Sequence, residues 1–273
     1  MDLGGRAEWS VPPRTIGGMV AHVTNPSAAL LDELPSWVTL VRAANPGPMT
    51  LDGTNSWVLR APGSEQCVVV DPGPLLEPHL EELSRKGEAR VILATHSHPD
   101  HVEGLPRFRE LARAGAVIPI RDGVGVMAPG GIRVEALATP GHTADSYCFI
   151  ASYQGERVVL TGDTILGRGT TVVAHPDGDL GEYLDSLRRL ADLGPLPVLP
   201  GHGPPLADCG VAARFYLDHR LARLEQVRQA RAAGHEDVAD VVATVYADVD
   251  KSLWPAARLS VQAQLAYLDQ EPQ

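Results

Sequence analysis

Cysteine is scarce in this chain: Cys67, Cys148 and Cys209 are its three, widely spaced and odd in number. That argues against a disulfide framework and suits a reducing compartment. No stretch approaches the roughly 18 uninterrupted apolar residues of a membrane-spanning helix. Residues Met1 to Glu8 hold no basic segment leading into an apolar run, so no secretory signal is expected and the cytoplasm is the expected location. Lysine is nearly missing, with Lys86 and Lys251 alone among 23 basic residues, and the net charge is −11. That balance opposes bulk attraction to a polyanion, because phosphate binding draws its strength from neutralising cations; a local basic groove stays open. Nor does composition point to disorder or fibrous repetition, since 44% hydrophobic and 21% charged residues are ordinary globular values.

What is present is a succession of short apolar runs, each ending in a small turn that delivers a polar residue. Val68-Val69-Val70 leads into Asp71-Pro72-Gly73, Val91-Ile92-Leu93-Ala94 into Thr95-His96, Val158-Val159-Leu160 into Thr161-Gly162-Asp163, and Val198-Leu199 into Pro200-Gly201-His202. Continuous apolar runs read as strands buried on both faces. Helical patterns lie between them over residues 76–85, 104–114 and 181–192, and two further strands are expected near 37–41 and 56–59. The pattern predicts an α/β layered domain over 36–204 with its site along one sheet edge. An irregular, Pro- and Gly-rich arm is expected over 1–35, with one short helix at 27–34. From residue 205 to 273 the apolar spacing turns helical and predicts a small helical domain, its last helix over 256–268.

His96-Ser97-His98-Pro99-Asp100-His101 packs three imidazoles and a carboxylate into six residues directly after a buried strand. These are zinc-type ligands. His96 and His98, two apart, can share one ion while Asp100 and His101 reach another. Read alone, the segment also fits a solvated loop that is merely rich in histidine. Three distant turns weigh against that: Pro140-Gly141-His142, Gly162-Asp163 and Gly201-His202 each set one more ligand-type residue beside a glycine.

This H-x-H-x-D-H loop followed by lone His, Asp and His resembles the metallo-β-lactamase superfamily signature. The resemblance implies a four-layer αβ/βα sandwich with a winged-helix-like C-terminal domain and two divalent metal ions, zinc being expected. It implies that His96, His98 and His142 surround one ion, that Asp100, His101 and His202 surround the other, and that Asp163 bridges them. Asp71 matches a supporting position. Such a pair of ions supplies an activated water, and Asp100 is the expected catalytic carboxylate beside it.

The segments at Asn45 to Asn55 and Gly162 to Val172, with His219-Arg220, resemble the lactamase-β-like protein 2 endoribonucleases and their bacterial relatives. Cleavage of single-stranded RNA is therefore the implied activity. Thioester, lactone or other acyl hydrolysis is the competing one, since the same site attacks carbonyls; a non-catalytic RNA-binding protein is the third. Arg214, Arg220, Arg223, Arg228 and Arg231 do not separate from the apolar residues of their helix into a basic stripe. Only 38 residues lie between Asp163 and His202, too few for the inserted domain of β-CASP nucleases. Arg168 is a candidate for contacting phosphate or carboxylate, Asn55 and Thr164 fit either substrate contact or local turn bonding, and Cys67 and Cys148 are expected in the core.

Overall fold

The computed structural model describes residues 34–112, 116–117 and 121–271. The expected N-terminal arm and its short helix lie outside them, apart from Leu34 and Pro35. Strands β1 (Val38–Arg42), β2 (Asn55–Leu59) and β3 (Gln66–Val70) pair antiparallel in sequence. Helix α1 (Glu77–Ser84) then carries the chain back, so β4 (Glu88–Leu93) lies parallel to β3. A parallel neighbour needs such a crossover. After α2 (Pro99–Val102) and α3 (Leu105–Leu111), β5 (Ala116–Val117) adds a short parallel edge.

The second sheet repeats this plan. Strands β6 (Gly125–Met127), β7 (Arg133–Ala138), β8 (Tyr147–Tyr153) and β9 (Glu156–Gly162) form an antiparallel meander. Helix α4 (Leu180–Ala191) crosses over to β10 (Val198–Pro200), which runs parallel to β9. The sheet order is β10-β9-β8-β7-β6 against β1-β2-β3-β4-β5 in the first. Most of the meander escapes the sequence reading, because Arg133-Val134-Glu135-Ala136 alternates with small or charged residues instead of forming an apolar run.

Alternate side chains of the central strands serve two different cores. Val68, Val70, Val91 and Leu93 of the first sheet meet Val134, Phe149, Val158 and Leu160 of the second between the sheets. Their neighbours Cys67, Val69 and Ile92 turn the other way, onto Leu80 and Leu83 of α1 and Phe108 of α3. Cys148, Val159 and Val198 likewise face Tyr183, Leu187 and Leu190 of α4. Helix, sheet, sheet and helix are thus four layers, as the resemblance implies.

Helix α5 (Cys209–Ala232) starts at Asp208, whose side chain accepts from Val211 N and so satisfies one free amide of the first turn. Its first half packs Cys209, Ala212, Ala213 and Tyr216 beside α4. Its second half gives Val227 and Ala230 to a separate core with Val241 and Val242 of α6 (Val238–Val245) and Val261 of α7 (Trp254–Gln270). Among the described residues, no helix is long and apolar enough to cross a membrane.

Leu160 is fully buried between the sheets. Leu160→Ala is expected to cost about 2–5 kcal/mol, read from the midpoint of chemical denaturation; a loss under 1 kcal/mol would contradict this packing. The three cysteines are free and buried. Burial raises the Cys67 and Cys148 thiols to about 11 and Cys209 higher still. A thiol reagent is expected to titrate none of them quickly in native protein and all three in denaturant.

Candidate metal centre

The strand ends decide where the polar residues go. Asp71 follows β3, His96 follows β4 and Asp163 follows β9, while His202 follows β10 and His142 lies between β7 and β8. Both sheets therefore deliver donors to one end of the sandwich. Asp100 and His101 sit on α2, a single turn with Pro99 in its first position; the six-residue segment is part loop and part helix, whereas the sequence suggested loop throughout.

All seven expected donors come together. His98 Nδ1 lies 3.0 Å from His96 Nε2 and 3.2 Å from His142 Nε2. His101 Nε2 and His202 Nε2 are 3.3 Å apart, with Asp100 Oδ2 at 3.5 and 3.1 Å from them. Between the two groups stands Asp163, with Oδ1 3.5 Å from His101 Nε2 and Oδ2 3.4 Å from His202 and 3.8 Å from His142. Three sets of ligand atoms fall within 4.8 Å of one another: His96, His98 and His142; His96, His101 and Asp163; Asp100, His101 and His202.

In four of the five imidazoles a hydrogen bond on the second nitrogen explains why Nε2 faces inward. His101 Nδ1 donates to Asp71 Oδ2 at 3.0 Å, His142 Nδ1 to Val172 O at 2.8 Å, and His202 Nδ1 to Gly53 O at 3.3 Å. Thr95 Oγ1 donates to Asp71 Oδ2 at 2.8 Å, so its oxygen is left to accept from His96 Nδ1 at 3.0 Å. These partners turn four Nε2 atoms toward the centre, where each offers a lone pair once a cation replaces any proton it holds. Asp71 anchors two of the four, one directly and one through Thr95. It also accepts from Thr95 N at 2.7 Å and sits at φ 53°, a strained backbone for a residue other than glycine.

Converging lone pairs cannot all pair with one another, and Asp163 Oδ1 is buried with no hydrogen-bond partner among the described residues. Imidazole nitrogens and carboxylates crowded in this way fit divalent cations. The charges agree. Burial pushes His202 down, but Asp163 and Asp100 outweigh it and hold the imidazole at about 10. His101 is raised in the same way against its burial by Asp163 and Asp71. Burial would raise Asp163, yet His101 and His202 keep it well below the usual carboxylate range. In the other group, burial and the neighbouring His101 take His96 down to about 2. Protons held by carboxylates on ligand imidazoles are those a metal displaces on binding.

Close approach is enforced by glycine. A Cβ on Gly201 would lie 2.4 Å from Asp163 Oδ1 and 2.8 Å from His101 Cε1. On Gly141, at φ 128°, it would lie 2.3 Å from the Tyr183 backbone and displace the turn bearing His142.

Asn55 lies beneath the His202 turn, donating from Nδ2 to Pro200 O at 3.0 Å and Gly203 O at 2.8 Å. Thr164 is buried on Thr139, and Arg168 forms a two-pronged pair with Asp52. Thr95 and the carbonyls of Val172 and Gly53 were not singled out in sequence; a threonine before the histidine loop was the one available sign. His79 is buried, with Nε2 2.9 Å from Ser56 Oγ and 3.1 Å from Pro72 O, beneath the Asp71 turn.

A family model described as "Metallo-beta-lactamase superfamily" matches residues 49–124 and 109–202. The chain belongs to the metallo-beta-lactamase superfamily. A second model, "Beta-lactamase associated winged helix domain", matches residues 238–273. Two superfamily relatives are similarly close. A beta-lactamase-like protein 2 homolog of Caenorhabditis elegans is 33% identical over 80% of this chain and 79% of its own length. An atrochrysone carboxyl ACP thioesterase of Aspergillus fumigatus is 35% identical over 74% of this chain and 67% of its own. A solved beta-lactamase domain protein from Burkholderia ambifaria shares the fold, with a TM-score of 0.70 at 23% identity, over 91% of this chain and 90% of that one.

Asp71→Asn is expected to weaken zinc affinity by about 10–100-fold, measured by chelator competition, while Thr95→Ser stays near the parent. Unchanged affinity in Asp71→Asn would refute its orienting role.

Proposed function

We propose that this protein is a binuclear metal-dependent hydrolase whose substrate is an acyl compound, a thioester or lactone. The observation that carries the hydrolase reading is the convergence of seven donors in two groups sharing Asp163. His96, His98 and His142 would hold one divalent ion, Asp100, His101 and His202 the other, and Asp163 both. Zinc is our proposal for each. When bound, the pair supplies a water activated near neutral pH and polarises the bond under attack.

The chain's own residues do the rest. Asp71 and Thr95 orient the His101 and His96 rings, and Gly201 lets its turn pack directly against Asp163 and His101. Asp100, with its side chain 28% exposed, is the ligand carboxylate most open to solvent. The His202 imidazole beside it holds its carboxyl at about 2 against the upward push of burial. It is thus an anion able to accept a hydrogen bond from the attacking water and orient it.

The choice of an acyl substrate rests on where the arginines go. Arg228 pairs with Glu225 and Glu271, and Arg231 with Asp269. Arg220 donates to Thr171 O and Arg223 to Val245 O. Arg228 and Arg231 are thus neutralised and Arg220 is buried, which leaves Arg214 and the half-buried Arg223 as the α5 arginines outside any ion pair among the described residues, too few to track a phosphate backbone in a protein of net charge −11. Endoribonuclease action on single-stranded RNA is the second reading. The shared donor set favours it, since two ions can stabilise both the attacking and leaving oxygens of a phosphodiester. The three unpaired, buried thiols suit a reducing, cytoplasmic setting. We further propose a catalytic unit over 36–204 joined through α5 to a helical unit over 205–273.

Purified protein is expected to hydrolyse a thioester or lactone, to lose that activity to a chelator and to recover it with zinc. His98→Ala should cost more than the roughly 10–100-fold typical of a lost supporting partner. Metal analysis of the active protein separates zinc from iron or manganese. RNA cleavage that depends on metal and on His98, without acyl hydrolysis, would reverse the two readings.

A further inference from the structure

A cavity of about 340 Å³ opens between the Met49–Leu51 loop, the segment from Leu166 to Val172, and helices α5 and α7. Its size is that of a small-molecule site. Met49, Leu51, Val249, Leu253 and Ala257 make much of its wall apolar. Three arginines and a histidine also line it, and among the described residues no Asp or Glu does, although acidic residues outnumber basic ones by 34 to 23 in the chain.

The arginines are not equivalent. Arg168 is neutralised by Asp52. Arg223 has neutral partners, Val245 O at 2.8 Å, Gln226 Oε1 at 3.0 Å and the Tyr246 ring at 4.8 Å. Arg220 is 3% exposed. Its guanidinium donates to Thr171 O and lies 5.5 Å from the Tyr183 ring centroid, and its Nε has no partner among the described residues. Beside it, His219 Nδ1 is also buried and unpartnered. Burial, then Arg220 and Arg223, lower the His219 imidazole to about 4, so it is neutral and adds no charge. A buried guanidinium without a carboxylate is costly, and a planar anion is the group its fork-shaped donors match.

We propose that this cavity binds an organic anion, an apolar chain bearing one carboxylate or phosphate group, with the anionic head toward Arg220 and Arg223 and the chain along Met49 and Leu51. This rests on the hydrolase reading in one respect: the occupant is the part of the substrate remote from the cleaved bond. The wall is shared with the metal centre. Thr171 O accepts from Arg220 while Thr171 Oγ1 donates to the Asp163 carbonyl, and Val172 O orients His142. An anion drawing on Arg220 therefore acts on the segment that supports Asp163 and His142.

The test is titration calorimetry on the metal-loaded full chain with decanoate, decyl phosphate and decanol. Decanoate or decyl phosphate is expected to saturate one site, and whichever binds tighter names the head group. Decanol should bind at least about tenfold more weakly, and Arg220→Gln should weaken the anion by a similar factor. Should Arg220→Gln fail to fold, Met49→Glu, on the exposed rim, replaces it and should weaken the anion by repulsion. His98→Ala should leave anion binding intact. Loss of binding in His98→Ala would place the anion on the metals and overturn the proposal. So would equal binding by decanol, equal binding by the folded arginine and rim variants, or no saturation by either anion. Binding that persists in a protein inactive on every acyl substrate would sink the acyl reading while leaving this site standing.

Discussion

Everything at the active end of this protein follows from lone pairs held face to face. Each inward-facing Nε2 is aimed by a hydrogen bond on the far side of its ring, and the carboxylates between them add negative charge in a poorly hydrated space and hold protons on His101 and His202. Such an arrangement is unfavourable by itself, because electrostatic mismatches are magnified away from water. Cations turn the repulsion into coordination, so metal binding and the stability of this end of the sandwich are linked. The two sheets, the glycine turns and the strained Asp71 hold the donors together against that repulsion.

Asp71 shows how little is needed to impose the order. One carboxylate orients His101 directly and His96 through the Thr95 hydroxyl, tying the β3 and β4 ends into one unit. The β9 and β10 ends are matched by backbone instead, Gly201 N donating to Gly162 O at 2.8 Å. Asn55 completes the join by fixing the His202 turn to the first sheet.

The donors themselves were readable because metal chemistry restricts which residues serve and because, although His142 follows a glycine turn alone, His96, Asp163 and His202 each follow a buried run and a turn. Strands at Val68 to Val70 and Val91 to Leu93 were readable for the same reason. The β6–β9 meander was less so: Gly125, Arg133 and Glu135 break the apolar signal, and pairing across a sheet makes up for what each strand lacks. Val172 and Gly53 act through their carbonyls, which no side-chain pattern encodes. Nor could residue types show that Arg228 and Arg231 are neutralised by Glu225, Glu271 and Asp269 while Arg220 is buried outside any ion pair; charge counts the groups, while geometry decides which of them are compensated.

Helix α5 spans 24 residues, a rise of about 36 Å, and its two halves belong to different cores. It is a strut common to both, rooted beside the second sheet and carrying the terminal helices at its far end. Cutting the chain ahead of it would strip the flank of α4 as well as the cover over the cavity. Exchange of the terminal helices between relatives is therefore constrained: a graft has to bring the strut with it, or match its length and pitch, before the rim can meet the Met49 loop again.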